Sequence, residues 1–329
     1  MSAAEHALHL ACACDAGYAP HAAAMLDSVL SHGDPARWTL HLLHAPDLPA
    51  NICEQLAAPV RARGARLQFH QVDDQRVAAL QRMERIGSVM WYRMFLPELL
   101  PEVARVLYVD CDILAATDLV PLLTTDLQGL PLGAVRNVFD PPSRHRPQQL
   151  GLTSARDYFN SGVLLMDLAA WRREGWAQRV LDIARQRHSE LLWPDQDALN
   201  LAFAGRWLPL HPRWNAMNSL YYFDDLGGAY SEAERAEAIS SPGLLHFEGP
   251  GFCKPWNALC KHPYRAAYFA SRARTAWPQV QLQDDTLRTR LLRLLPMRQI
   301  PRALALVERI ERGVARRWRR LTGQSRAAA

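Results

Sequence analysis

The sequence predicts an α/β protein built on a mostly parallel sheet with flanking helices, and three observations carry that prediction. Short apolar runs alternate with helical patterns from the start of the chain, as βαβ units require. Residues 106–119, VLYVDCDILAATDL, climb through apolar and β-branched residues to two aspartates and then return to apolar character; such runs belong to strands covered on both faces. At 329 residues, with 49% hydrophobic and 22% charged content, the chain is long enough for one large or two ordinary domains and has the balance of a folded soluble protein.

In chain order, residues 8–14 read as a buried strand, 21–32 as a helix, 38–45 as a strand, 49–63 as a helix and 66–72 as a third strand. Ligands of such sheets bind beyond the carboxyl ends of the strands. Asp15 and Tyr18 leave the first strand at one such end, and Asp110 and Asp112 leave the fourth at another. Residues 88–100 read as a helix carrying Arg93 among Trp91, Tyr92, Met94 and Phe95. Such an arginine either lays its stem on the core with its head in water or aims at an anion. Residues 130–135 read as a strand, 141–146 as a basic loop, and 158–168 as a buried strand entered through Asn160, Ser161 and Gly162. Residues 171–190 follow as one amphipathic helix. Pro194, Asp195, Gln196 and Asp197 open the next, with Asp195 as its cap. Residues 244–256 join a short strand to His246, Gly249, Gly251, Lys254 and Trp256, where glycines let backbone approach a ligand closely.

Alternation of side chains along a strand places Asp110 and Asp112 on one face. Two carboxylates there call for a cation or a basic partner. Taken alone, a D-x-D is more often a strand-end turn with solvated aspartates, and a lone histidine such as His246 is more often structural than a ligand. A G-x-G-x-x-G after the first strand and a P-loop are both missing from the sequence, so any phosphate must be countered by metal and isolated basic residues.

The formal charge of +5 conceals an asymmetry. Residues 286–329 hold twelve arginines and two glutamates, so the tail is +10 and the preceding 285 residues are −5. In the tail Leu304, Val307, Ile310, Val314, Trp318 and Leu321 recur at helical steps, with arginines mainly between them. A basic amphipathic helix carrying tryptophan suits an anionic membrane interface; the plainer alternative is a helix packed on its own domain. Cys12, Cys14, Cys53, Cys111, Cys253 and Cys260 form no C-x-x-C pair, as expected of reduced thiols. The start of the chain lacks the pattern of a secretion signal, and no window approaches the roughly 18 apolar residues of a membrane span. The expectation is a cytoplasmic protein, peripheral on the inner face of the cytoplasmic membrane.

Together these segments resemble the retaining glycosyltransferases of family 8, especially the bacterial lipopolysaccharide galactosyl- and glucosyltransferases. The motifs occur in the family's order over about residues 8–256: D-x-x-Y from Asp15 to Tyr18, Y-x-R around Arg93, VLYVDCDIL, YFNSGVLLMDLAAWR, DQDALN and HFEGPGFCKPW. The resemblance implies a GT-A type, Rossmann-like domain over residues 1–280 and a basic membrane-surface tail over 281–329. It implies a UDP-hexose donor, galactose or glucose, and a lipid-linked or lipopolysaccharide saccharide acceptor. It also implies Mn²⁺, with Mg²⁺ as the alternative, held by Asp110, Asp112 and His246. Lys254 and Gly249 then approach the diphosphate and Asp15 and Tyr18 the uracil. Arg93, Asn160, Asp195 and Gln196 lie around the transferred sugar. Asn137 stands where the family commonly has an acidic residue near the donor sugar, and Arg85 where a histidine is common.

Two other classes compete. A nucleotidyl- or phosphoryl-transferring enzyme would carry a glycine-rich phosphate loop beside a strand, and this sequence has none. A non-catalytic nucleotide-sugar binder or membrane-associated scaffold would not depend on the two aspartates. A nucleic-acid partner is disfavoured, because the body of the chain is acidic.

Overall fold

The computed structural model describes residues 7–80, 87–300, 302–307, 309–310 and 313–314. Arg85, Trp318 and Leu321 lie outside the described residues. The main sheet contains β1 (Leu8–Ala13), β2 (Trp38–His44), β3 (Arg66–Gln71), β4 (Arg105–Val109), β6 (Leu132–Arg136), β7 (Phe159–Asp167) and β8 (Leu208–Leu210), whereas β5 (Ile113–Ala115), β9 (Ala216–Met217) and β10 (Leu244–His246) form a smaller sheet. The order of the first is β3-β2-β1-β4-β7-β6-β8. All its pairings are parallel except those of β7, which runs against both β4 and β6.

Burial on both faces explains the composition of the central strands. In β1, Leu10 and Cys12 face one core with the helix Ala19–Leu30, while Ala11 and Ala13 face the other with Trp91, Tyr92, Trp171 and Trp176. Each fully buried leucine contributes about 1.5–3 kcal/mol, so the sheet is held from both sides.

Two expected helices form differently. Residues 88–100 start as a 3-10 helix, Ser88–Phe95, and become α-helical at Leu96–Leu99, where Pro97 fits the first turn. The single helix expected over 171–190 is two, Leu168–Glu174 and Trp176–Gln186, divided at Gly175 with φ +68°. Glycine adopts that left-handed conformation without the strain a side chain brings. Val180, Leu181 and Ala184 still line the buried face of the second helix.

The smaller sheet fixes the distant partner of the acidic pair. β10 pairs antiparallel with β5, His246 opposite Ile113, and the N–H of Phe247 donates to the carbonyl of Asp112 at 3.0 Å. His246 is thereby brought beside the end of β4. After β10 the chain returns to the body: Lys261 Nζ donates to the carbonyl of Leu295 at 2.7 Å, and Ile300 is fully buried. No helix among the described residues is long and apolar enough to cross a membrane.

Candidate active site

β4 ends at Val109, so Asp110 and Asp112 lie in the turn between β4 and β5 rather than along one strand. Their convergence therefore comes from the turn and not from strand alternation. The N–H of Asp110 donates to the carbonyl of Gly162 at 2.9 Å, tying the turn to β7. One ligand atom each from Asp110, Asp112 and His246 lie within 4.8 Å of one another. Two carboxylate oxygens and an imidazole nitrogen this close fit a divalent cation, the oxygens suiting Mg²⁺ or Mn²⁺ and the nitrogen favouring Mn²⁺.

The electrostatics favour an ionised Asp112. Lys254 Nζ donates to Asp112 Oδ2 and to the carbonyl of Phe247. Burial pushes the Asp112 carboxyl up, but Lys254 and His246 outweigh it and hold it well below the usual carboxylate range. Gly249, at φ +90°, turns the loop that delivers Lys254. Asp15 Oδ1 accepts from the N–H of Tyr18 at 2.8 Å at the carboxyl end of β1. Tyr18 is 43% exposed, its ring edge-on to Trp256, on which His21 stacks at 3.5 Å.

Arg93 is 3% exposed, so its head does not reach water. Its Nη2 lies 3.0 Å from Asp110 Oδ1 and 3.4 Å from Asp195 Oδ2, and Nη1 donates to the carbonyl of Ser161. One cation thus links the acidic turn to the helix Pro194–Ala202. Asp195 lies in the first turn of that helix and is not its cap, because Trp193 occupies the cap position and Pro194 starts the helix. Burial raises the Asp195 carboxyl against the opposing pull of Arg93, with Asp110 adding to the rise.

Gln196 Oε1 accepts from the N–H of Ser161 at 3.0 Å and from Asn160 Nδ2 at 3.2 Å. Asn160 Nδ2 also points at Asn137 Oδ1, 3.4 Å away. Because β7 is antiparallel, its first residues lie at the edge where β4 ends, and this brings Asn160 and Ser161 to Asp110.

Several supporting residues escaped sequence reasoning. Asp197, fully buried, accepts from Arg146, from the hydroxyl of Tyr158, and from the N–H groups of Leu192 at 2.7 Å and Trp193 at 3.1 Å. It anchors the turn that presents Asp195 and Gln196. Arg146 closes the loop expected to carry binding residues, yet it is spent on this internal pair, while Arg144 pairs with Asp225 at 2.7 Å. The D-Q-D spacing was the available signal for Asp197. Asn215, described below, left none.

A mixed sheet of this order, with an acidic turn after β4 and a polar cluster at the mouth of β7, defines a glycosyltransferase of the GT-A class. The chain matches the model of Glycosyl transferase family 8 over residues 9–260 and belongs to that family. It is 29% identical to general stress protein A of Bacillus subtilis (strain 168) over 276 residues, 82% of this chain and 94% of that protein. It is 24% identical to lipopolysaccharide 1,2-glucosyltransferase of Escherichia coli (strain K12) over 243 residues, 71% of this chain and 67% of that one. Among solved structures it resembles the galactosyltransferase LgtC in complex with donor and acceptor sugar analogs, with a TM-score of 0.73 at 24% identity, over 86% of this chain and 100% of that chain.

Proposed function

We propose that the protein is a metal-dependent, retaining hexosyltransferase that moves galactose or glucose from a UDP-sugar to a saccharide acceptor in the synthesis of lipopolysaccharide or a related glycan. The observation that carries this reading is the meeting of Asp110, Asp112 and His246 within 4.8 Å, with Arg93 joining Asp110 to Asp195. On this reading a cation site lies one arginine away from a sugar-binding cluster.

Asp110, Asp112 and His246 would hold Mn²⁺ or Mg²⁺, which when bound supplies counter-charge to the diphosphate as the sugar leaves. Lys254 adds a point charge beside the same oxygens, and Gly249 lets the loop backbone approach them. Asp15 and Tyr18 hold the uracil, Tyr18 through its exposed ring. Arg93, Asn160, Asp195 and Gln196 orient the hexose, and Asn137 reads its outer face through Asn160.

Retention is assigned to same-face attack, in which the leaving diphosphate takes the proton of the acceptor hydroxyl. Asp195 is already engaged by Arg93 at 3.4 Å and by the hydroxyl of Ser161 at 3.3 Å, which favours orientation over nucleophilic attack; a trapped glycosyl-Asp195 adduct would reverse this assignment.

Residues 1–280 are assigned to the transferase domain and 281–329 to attachment on the inner face of the cytoplasmic membrane. Leu287, Leu291 and Leu294 are 75%, 59% and 80% exposed at helical spacing among arginines, which supports that role. The deciding experiment incubates purified protein and Mn²⁺ with a panel of UDP-sugars and reads UDP release with and without a lipo-oligosaccharide acceptor. Release from no donor, or equal release by the Asp110→Ala/Asp112→Ala variant, would favour a non-catalytic nucleotide-sugar binder.

A further inference from the structure

Asn215 closes the 3-10 turn Pro212–Asn215 immediately before β9 and is fully buried. Its Nδ2 donates to Asn160 Oδ1 at 2.9 Å, and its Oδ1 lies 2.9 Å from His246 Nδ1. One amide therefore touches both the sugar cluster and the proposed metal ligand.

The direction of these bonds is dictated by the backbone. The N–H of Gly162, which can act only as a donor, points at Asn160 Oδ1 at 3.0 Å, and the N–H of Ser161 likewise fixes Gln196 Oε1 as the acceptor facing Asn160 Nδ2. Asn160 is thus oriented from both ends. Its Oδ1 faces Asn215, so Asn215 must offer its NH₂ there and its carbonyl oxygen to His246. An oxygen in that place accepts a hydrogen from Nδ1. The other ring nitrogen, Nε2, lies 3.3 Å from Asp112 Oδ1 and is the nitrogen left to take a cation.

Sterics hold the ring in the same pose. A methyl group built on Gly162 would lie 2.3 Å from His246 Cε1, so the ring packs against a position that only glycine leaves open. Gly162 therefore contributes twice, through its N–H and through its missing side chain.

We propose that Asn215 is a positioning residue that selects the Nδ1–H tautomer of His246, aims Nε2 at the metal, and couples that ligand to the sugar cluster through Asn160. The inference rests on the metal reading above. Removing such an outer-shell partner lowers metal affinity about 10- to 100-fold. Nothing local in HPRWNAMN announces the role, because it depends on β9 lying beside β10.

The test measures Mn²⁺ binding by electron paramagnetic resonance of the free ion, without donor, for wild type, Asn215→Ala, Asn215→Asp, Gly162→Ala and His246→Ala, with thermal unfolding recorded for each. Asn215→Ala and Gly162→Ala should weaken Mn²⁺ binding about 10- to 100-fold. Asn215→Asp, which still accepts from Nδ1–H but cannot donate to Asn160, should bind Mn²⁺ within about threefold of wild type while lowering kcat about tenfold or more. A long-range ¹H–¹⁵N spectrum of the Mg²⁺-loaded protein, with His246→Ala assigning the resonance, should show the His246 proton on Nδ1. Wild-type affinity in Asn215→Ala, or a His246 proton on Nε2, overturns the inference while leaving the metal reading intact. Wild-type protein that takes up no Mn²⁺ overturns the metal reading itself.

Discussion

Buried Arg93 is ion-paired with the half-buried Asp110 at 3.0 Å, and the same guanidinium nitrogen lies 3.4 Å from Asp195. Arg93→Ala leaves two carboxylates without their shared cation, so it should cost about 3 kcal/mol in unfolding free energy and about a hundredfold or more in transfer rate. Arg93→Lys should not restore activity, because a single ammonium cannot reproduce a planar fork that also donates to Ser161 and Met90. Urea unfolding and UDP release measure the two effects; full activity in the lysine variant would remove Arg93 from the site.

Asp197 gathers four donors where none of its neighbours can replace it. Asp197→Ala leaves Arg146 without its carboxylate and two backbone N–H groups unpaired and should cost about 3–5 kcal/mol, against about 1 kcal/mol for Tyr158→Phe, which deletes one hydroxyl. Equal midpoints for the two variants in urea would contradict the anchoring role.

Acid stability should follow buried histidines. His41 bridges His9 and His70 across β1, β2 and β3 at 3.0 Å on either side. Burial, helped by these two neighbours, lowers it from 6.5 to about 3. Its folded value lies below its unfolded one, so the unfolded chain binds more protons between these limits. The stability His41 contributes is complete above pH 6.5 and is lost as pH falls toward 3, with a slope of about 1.4 kcal/mol per pH unit for each extra proton. His41→Gln should flatten the pH dependence of urea midpoints in that window. An unchanged slope would show that the row does not titrate.

Chelation should abolish UDP release, and added Mn²⁺ should restore it. Asp110→Ala and Asp112→Ala should each reduce both transfer and donor hydrolysis about a hundredfold or more, because both reactions expel the same diphosphate. Activity that survives exhaustive dialysis against a chelator would exclude a metal role.

Removal of residues 302–329 takes away eight arginines and two glutamates but keeps Ile300, which is fully buried in the body. The shortened protein should melt at the same temperature, hydrolyse soluble donor normally, and sediment less with anionic vesicles at low salt, each basic residue near the surface contributing about 1 kcal/mol. Unchanged sedimentation would assign the tail to packing instead.

Legibility in the sequence followed the range of the signal. β1 and β2 are mostly apolar and buried, whereas β3 alternates apolar with polar residues, and all three form close to where the pattern places them. The acidic pair was legible by residue type, but the approach of His246 to it comes from the pairing of β5 with β10, which no local pattern encodes. Asp195 looked like a cap because polar residues precede a helix there, whereas Pro194 starts the helix one residue earlier than the aspartate. Asn215 was invisible, because its two partners lie in distant segments.

The reversed direction of β7 has an evolutionary consequence. The connection from Asn137 to Tyr158 leaves the sheet and returns to it at the edge that carries the acidic turn. Its ends are clamped by strand pairing and its middle by Arg146 on Asp197 and by the buried Leu150 and Leu152, which leaves only the exposed positions between these anchors free to change. Those exposed positions can therefore drift between lineages without moving the strand ends that carry Asn137 and Asn160.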